Sequence, residues 1–113
     1  MIYIIDDDHL MAECLSRYLR PKETRIFSNA IDAISNLDED APDLIFLDVL
    51  LDGPDAFTFL NEIMSYESTA KIPVVIVTSL NLEAKSLRSY GVRKVLKKET
   101  LTPEEVRECL KLI

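Results

Sequence analysis

Three short runs, Ile2 to Ile5, Leu44 to Leu47 and Val74 to Val77, are apolar without alternation, and this constrains the fold more than any other feature. A strand covered on one face alternates apolar with polar residues, whereas a strand buried on both faces has no polar side to show. Such strands belong in a parallel sheet between two layers of helix. Helical periodicity fills the intervals. Leu10, Met11, Cys14, Leu15, Tyr18 and Leu19 recur at helical spacing before Pro21; Ala30, Ile31, Ala33, Ile34 and Leu37 follow a capping Asn29; Phe57, Leu60, Ile63 and Met64 follow a capping Asp55. Shorter strands are predicted at Thr24 to Phe27 and at Val95–Leu96. A short helix should start at Asn81 and end near Tyr90 with Gly91 as its C-cap, and Thr102-Pro103-Glu104-Glu105 is a capping box opening a last helix that runs almost to Ile113. Five strands alternating with five helices predict a doubly wound α/β domain whose site lies at the carboxyl ends of the strands.

At 113 residues the chain has room for one domain, residues 1–113. Its net charge of −7 opposes approach to a phosphate backbone or an anionic membrane, so direct nucleic-acid and membrane binding are not expected. No apolar run nears the roughly 20 residues of a membrane span, and the start lacks the form of a signal peptide, which gives a cytoplasmic expectation. Cys14 and Cys109 form no metal-binding spacing and read as buried or half-buried thiols. The basic group Arg88, Arg93, Lys94 and Lys97 reads as a solvated face, and His9 as an exposed residue of the first helical turn.

The predicted strand ends carry Asp6, Asp7 and Asp8, then Asp48, then Thr78 and Ser79, and finally Lys98. Clustered carboxylates repel one another unless a hard cation sits among them, and an octahedron of oxygens is what Mg2+ requires. With the cation in place, one carboxylate can act as a nucleophile toward a phosphoryl group, while a lysine and a hydroxyl hold the remaining oxygens. No one of these residues is diagnostic. The four-part combination, each part at the end of a different strand, is what favours this reading.

The segments IIDDDHL at 4–10, DLIFLDVLLDGPDAF at 43–57, KIPVVIVTS at 71–79 and GVRKVLKK at 91–98 resemble, in order and spacing, the receiver domain of two-component response regulators. The resemblance covers the whole chain. It implies a flavodoxin-like five-stranded parallel sheet of order 2-1-3-4-5 with helices on both faces, and Asp48 as phosphoacceptor. It further implies that Asp7 and Asp48 ligate Mg2+ through side chains, Leu50 through its backbone carbonyl, and Asp6 through a metal-bound water. Thr78 matches the hydroxyl that reports phosphorylation, and Lys98, counted from Gly91, the phosphate-pairing lysine. The implied partners are a sensor histidine kinase or a histidine phosphotransfer protein, and an effector domain or protein.

Several residues depart from the family pattern. Asp52 replaces a proline, Ala56 a glycine, Glu99 the proline after the lysine, and Val95 the aromatic switch residue, while the Thr78–Gly91 stretch is about two residues short. Leu50 and Leu80 stand where the family's arrangement flanks the path of hydrolytic water, so a long-lived phosphoryl group is expected. Two other readings are weighed. A phosphatase of the haloacid-dehalogenase type fits Asp6-Asp7-Asp8 but needs an acidic pair after another apolar strand beyond the lysine, where only the helix from Thr102 remains, and leaves the segment after Asp48 unexplained. A phosphorylation-independent interaction module of the same fold ranks lower because the acids, hydroxyl and lysine are all present.

Overall fold

The computed structural model describes residues 1–51 and 55–113. The strands are β1 (Ile2–Ile5), β2 (Thr24–Phe27), β3 (Leu44–Leu47), β4 (Val74–Thr78) and β5 (Val92–Lys97). They form one sheet of order β2-β1-β3-β4-β5, every neighbouring pair parallel. The helices α1 (His9–Tyr18), α2 (Ala30–Asn36), α3 (Ala56–Met64), α4 (Glu67–Ala70) and α5 (Pro103–Glu108) connect the strands, together with 3₁₀ segments at Ala84–Tyr90 and Cys109–Leu112.

The apolar runs have the two-sided burial their lack of alternation requires. Tyr3, Ile5, Ile45, Leu47, Val74 and Ile76 pack with α2, α3 and the 3₁₀ segment through Ala33, Phe59, Leu60 and Leu87. Ile2, Ile4, Leu44, Phe46, Val75 and Val77 pack on the opposite face against Ala12 and Leu15 of α1 and Val106 of α5. Successive residues of one strand thus serve two cores, as a pleat of period two dictates. Cys109 is buried and Cys14 half-buried, both as free thiols.

Local chemistry sets the boundaries. Asp8 accepts from the amides of Leu10 and Met11 at 3.1 and 3.2 Å and caps α1. Asn29 and Asp55 cap α2 and α3, and the capping box at Thr102 is closed in both directions. The structure departs from the sequence expectations in four places. The segment expected as a helix from Asn81 is 3₁₀ and starts only at Ala84; β5 spans six residues rather than two; α5 tightens into 3₁₀ at Cys109; and α4 is additional. The Thr78–Gly91 stretch is about two residues shorter than the family pattern, and a 3₁₀ helix, rising about 2.0 Å per residue against about 1.5 Å in an α-helix, covers more length with the same residues. Gly91, at φ 81°, ends that segment in the left-handed region that glycine adopts without strain.

Where β4 meets β5 the register breaks. Val74 pairs with Val92 but Val75 pairs with Lys94, leaving Arg93 as an extra residue. Such a bulge reverses which face later side chains point to. Accordingly Val92 lies in the α2/α3 core while Leu96, an even number of residues away, lies in the α1/α5 core.

Truncating Phe59, fully buried in α3, to alanine should cost about 3–5 kcal/mol. Thr102→Ala, which removes an exposed cap, should cost about 1 kcal/mol. Urea denaturation of the two variants checks the ranking.

Candidate functional site

Register delivers the site. Ile5 pairs with Leu47, and Leu47 with Ile76, so Asp6 and Asp48 leave the sheet side by side at the same level. Backbone bonds seat them there, Asp6 N–H to the Phe27 carbonyl at 3.0 Å and Asp48 N–H to the Ile5 carbonyl at 2.9 Å. Both extend the pleat rows that face α1 and α5, namely Ile2-Ile4 and Leu44-Phe46. After the bulge, Lys98 extends the Leu96 row toward that same face, and its N–H donates to the Thr78 carbonyl at 2.9 Å.

The Lys98 ammonium closes the arrangement. Its Nζ lies 3.1 Å from Asp48 Oδ2 and 3.1 Å from Asp6 Oδ2, and donates to Asp6 Oδ1 at 3.4 Å. Asp6 and Asp48 are 2% and 4% exposed. Burial by itself would lower the Lys98 pKa, but the hydrogen bonds to Asp48 and Asp6 outweigh it and hold the pKa above the ordinary lysine value. Asp6 is shifted upward. Desolvation raises its pKa, opposed by the Asp8 N–H at 2.9 Å and by Lys98, and reinforced by the nearby Asp48 charge. Lys97 points elsewhere and donates to Asn81 Oδ1 at 2.6 Å.

Carboxylate oxygens of Asp6, Asp7 and Asp48 all lie within 4.8 Å of one another. Three clustered acids, of which Lys98 contacts only Asp6 and Asp48, leave an excess of negative charge. Asp6 Oδ2 adds a second indication: it is buried, has Lys98 as a charge neighbour, and accepts no hydrogen bond. A buried carboxylate oxygen without a donor is a costly state, and a divalent cation or its bound water relieves it. The donor set, all hard oxygens, fits Mg2+.

The remaining residues sit around this cluster. Thr78 is fully buried and its Oγ1 accepts from the Leu80 N–H at 3.2 Å. Leu50 N–H donates to Asp48 Oδ1 at 3.1 Å, folding the chain back on the carboxylate. With Oδ2 bound to Lys98, both Asp48 oxygens are held. Asp8, grouped with the other acids by sequence, instead spends its Oδ1 on the α1 cap; an Asp just ahead of a helical pattern is the signal for that role. His9 is exposed, and Val95 is half-buried. Glu99 has its carboxylate held below the usual range by its own N–H and by the Ser79 hydroxyl. Asp52, expected as a loop acid, lies outside the described residues.

The family model for the response regulator receiver domain matches residues 2–111. The chain belongs to that family. The receiver is 32% identical over 83 residues to the response regulator PleD of Caulobacter vibrioides, covering 71% of this chain and 18% of that protein. It is 30% identical over 115 residues to a protein-glutamate methylesterase/protein-glutamine glutaminase of Oleidesulfovibrio alaskensis, covering 95% of this chain and 32% of that one. The chain thus spans a third or less of the length of these two relatives. Among solved structures, the receiver domain of NtrX from Brucella abortus superposes with a TM-score of 0.85 at 26% identity, covering 98% of this chain and 95% of that one. A putative response regulator from Chloroflexus aurantiacus gives 0.86 at 26% identity, covering 97% and 93%. Receiver domains of this family bind Mg2+ in an acidic pocket and interact with histidine kinases or phosphotransfer proteins. Among the described residues no helix is long and apolar enough to cross a membrane.

The charge imbalance is testable without any phosphoryl donor. Asp7 is half-buried beside two like charges, so at an effective dielectric between protein surface and water Asp7→Asn should stabilise the metal-free receiver by about 1 kcal/mol at low salt. Lys98→Met should act in the opposite sense. Thermal melts with and without Mg2+ check both, and Mg2+ should abolish the Asp7→Asn advantage.

Proposed function

We propose that residues 1–113 form a response regulatory unit in which Asp48 accepts one phosphoryl group. The donor is a phosphohistidine on a sensor kinase or phosphotransfer protein, or a small acyl phosphate. The observation that carries this reading is the single ammonium of Lys98 shared by Asp6 and Asp48 at 3.1 Å each, beside a third carboxylate. Asp48 supplies the nucleophilic oxygen: an O–P bond forms, the P–N bond to the donor imidazole breaks, and the imidazole leaves as the donor's own histidine. Lys98 then transfers one of its contacts to a phosphoryl oxygen. Thr78 exchanges the Leu80 N–H contact for donation of its hydroxyl to another.

Asp7 and Asp48 would hold Mg2+ by their side chains, Leu50 by its carbonyl and Asp6 through water. The ion, when bound, neutralises the incoming charge so that two anions can meet. Without it, three carboxylates face an anionic phosphoryl with only Lys98 to offset them. The chain acts on itself and is not proposed to turn over an external substrate. A phosphomonoester phosphatase would.

Incubation with a small acyl phosphate and Mg2+, followed by Phos-tag electrophoresis, should give one shifted band that is absent in Asp48→Ala and absent with chelator. Equal labelling of wild type and Asp48→Ala would refute the assignment. Asp7→Asn should need about tenfold more Mg2+, a loss of about 1.4 kcal/mol. Lys98→Ala should keep Mg2+ binding and lose the conformational response.

Leu50 and Leu80, 53% and 43% exposed, have their N–H groups fixed on Asp48 and Thr78. Neither side chain can hydrogen-bond an attacking water, and in-line attack needs that water held. We therefore expect slow loss of the phosphoryl group. After donor removal, Leu50→Asn and Leu80→Glu should each speed decay by up to about tenfold, about 1.4 kcal/mol of barrier.

A further inference from the structure

Charge is unevenly distributed along this chain: residues 1–70 carry fifteen Asp and Glu against four Lys and Arg. Part of that excess gathers where α2, α3 and α4 converge on a groove of about 190 Å³. Ile34 and Leu37 give the groove an apolar base, and Tyr66, 58% exposed, lines it beside them. Asp38 and Glu62 also line it, and among the described residues neither has a cationic side chain within ion-pair distance. Thr69 on the same lining already donates its hydroxyl to the Ile63 carbonyl at 2.6 Å. The groove is built from residues that close α2 and α3 and lead into β3 and β4. It therefore lies toward the amino ends of the strands, away from Asp6, Asp48 and Lys98.

We propose that this groove docks an arginine side chain presented by a basic segment of a partner protein. Size favours a single side chain, because small-molecule sites commonly occupy about 300–1,000 Å³. Charge sets the sign of the occupant: two acidic residues, neither ion-paired among the described residues, line the same groove, inside a region that attracts basic partners from a distance. Shape selects arginine over lysine. A planar guanidinium stacks on a tyrosine ring, offers donors to two carboxylates at once, and is more weakly hydrated than an ammonium. The aliphatic stem of the same side chain suits the Ile34 and Leu37 surface.

The proposal is independent of phosphoryl transfer at Asp48, and the experiment keeps the two apart. The 15N-labelled receiver is titrated with an Ala/Gly peptide bearing one arginine between two lysines, and with the same peptide bearing citrulline, the neutral isostere. Saturable shifts should appear at amides 34–38 and 62–69, with citrulline at least about tenfold weaker, or 1.4 kcal/mol. The isosteric variants Asp38→Asn and Glu62→Gln, and Tyr66→Leu, should each weaken binding about fivefold. Glu39→Gln and Asp48→Ala should leave it unchanged. Equal affinity for the arginine and citrulline peptides would overturn the proposal. So would saturation by free guanidinium at the peptide's own concentration, which would mark a small-cation site. The same amides shifting with receiver concentration alone would mark a second copy as occupant and would also overturn it.

Discussion

An ammonium held between two buried carboxylates organises this receiver. Lys98 lies 3.1 Å from an oxygen of Asp6 and 3.1 Å from one of Asp48, so β1, β3 and β5 are joined by charge at their carboxyl ends. Removing Lys98 would leave two carboxylates, 2% and 4% exposed, without their cation, which is far more costly than losing a surface ion pair. The sheet beneath supports the contact because its two faces are closed by separate cores, which keeps the strand ends level. Three acids near one lysine, and one Asp6 oxygen without a donor, leave the site short of positive charge.

The loops after β4 and β5 are tied to the same centre. Leu80 is bonded through its N–H to Thr78, Lys97 reaches Asn81, and Lys98 closes the β4–β5 ladder through its own N–H. On the proposed function, a phosphoryl group that recruited Thr78 and Lys98 would disturb the 79–83 loop and the start of the 3₁₀ segment. Val95 has no ring to swing between inward and outward states, so on the proposed function the response would run through backbone and polar contacts. The short 3₁₀ segment suits that task, since its hydrogen bonds have poorer geometry than those of an α-helix.

Much of the architecture was legible in the chain because its signals are local. Non-alternating apolar runs report two-sided burial, Asn29, Asp55 and Thr102 announce helix starts, and Gly91 marks a stop that its positive φ bears out. The candidate acids were legible for the same reason: each directly follows a strand. Three things were not. The 3₁₀ nature of Ala84–Tyr90 depends on how much chain is available to cross from β4 to β5, the existence of α4 on how α3 is released toward β4, and the α2–α3 groove on side chains far apart in sequence.

The clearest division between the two sources concerns Lys97 and Lys98. By itself the sequence determined a doubly wound parallel sheet and a cluster of acids at its carboxyl edge, because burial period and strand-end position are written residue by residue. It also placed two adjacent lysines at the end of β5, of which the family resemblance, counted from Gly91, selected Lys98; the physical ground of that choice is not local, since adjacent residues of a strand face opposite ways. Which one meets the acids is decided by the extra residue at Arg93, where Val75 pairs with Lys94 rather than with its neighbour. The bulge reverses the facing of all that follows, sending Leu96 and Lys98 to the α1/α5 side that Asp6 and Asp48 share, and Lys97 to Asn81. A bulge is a property of two paired strands, so no reading of β5 alone could reveal it.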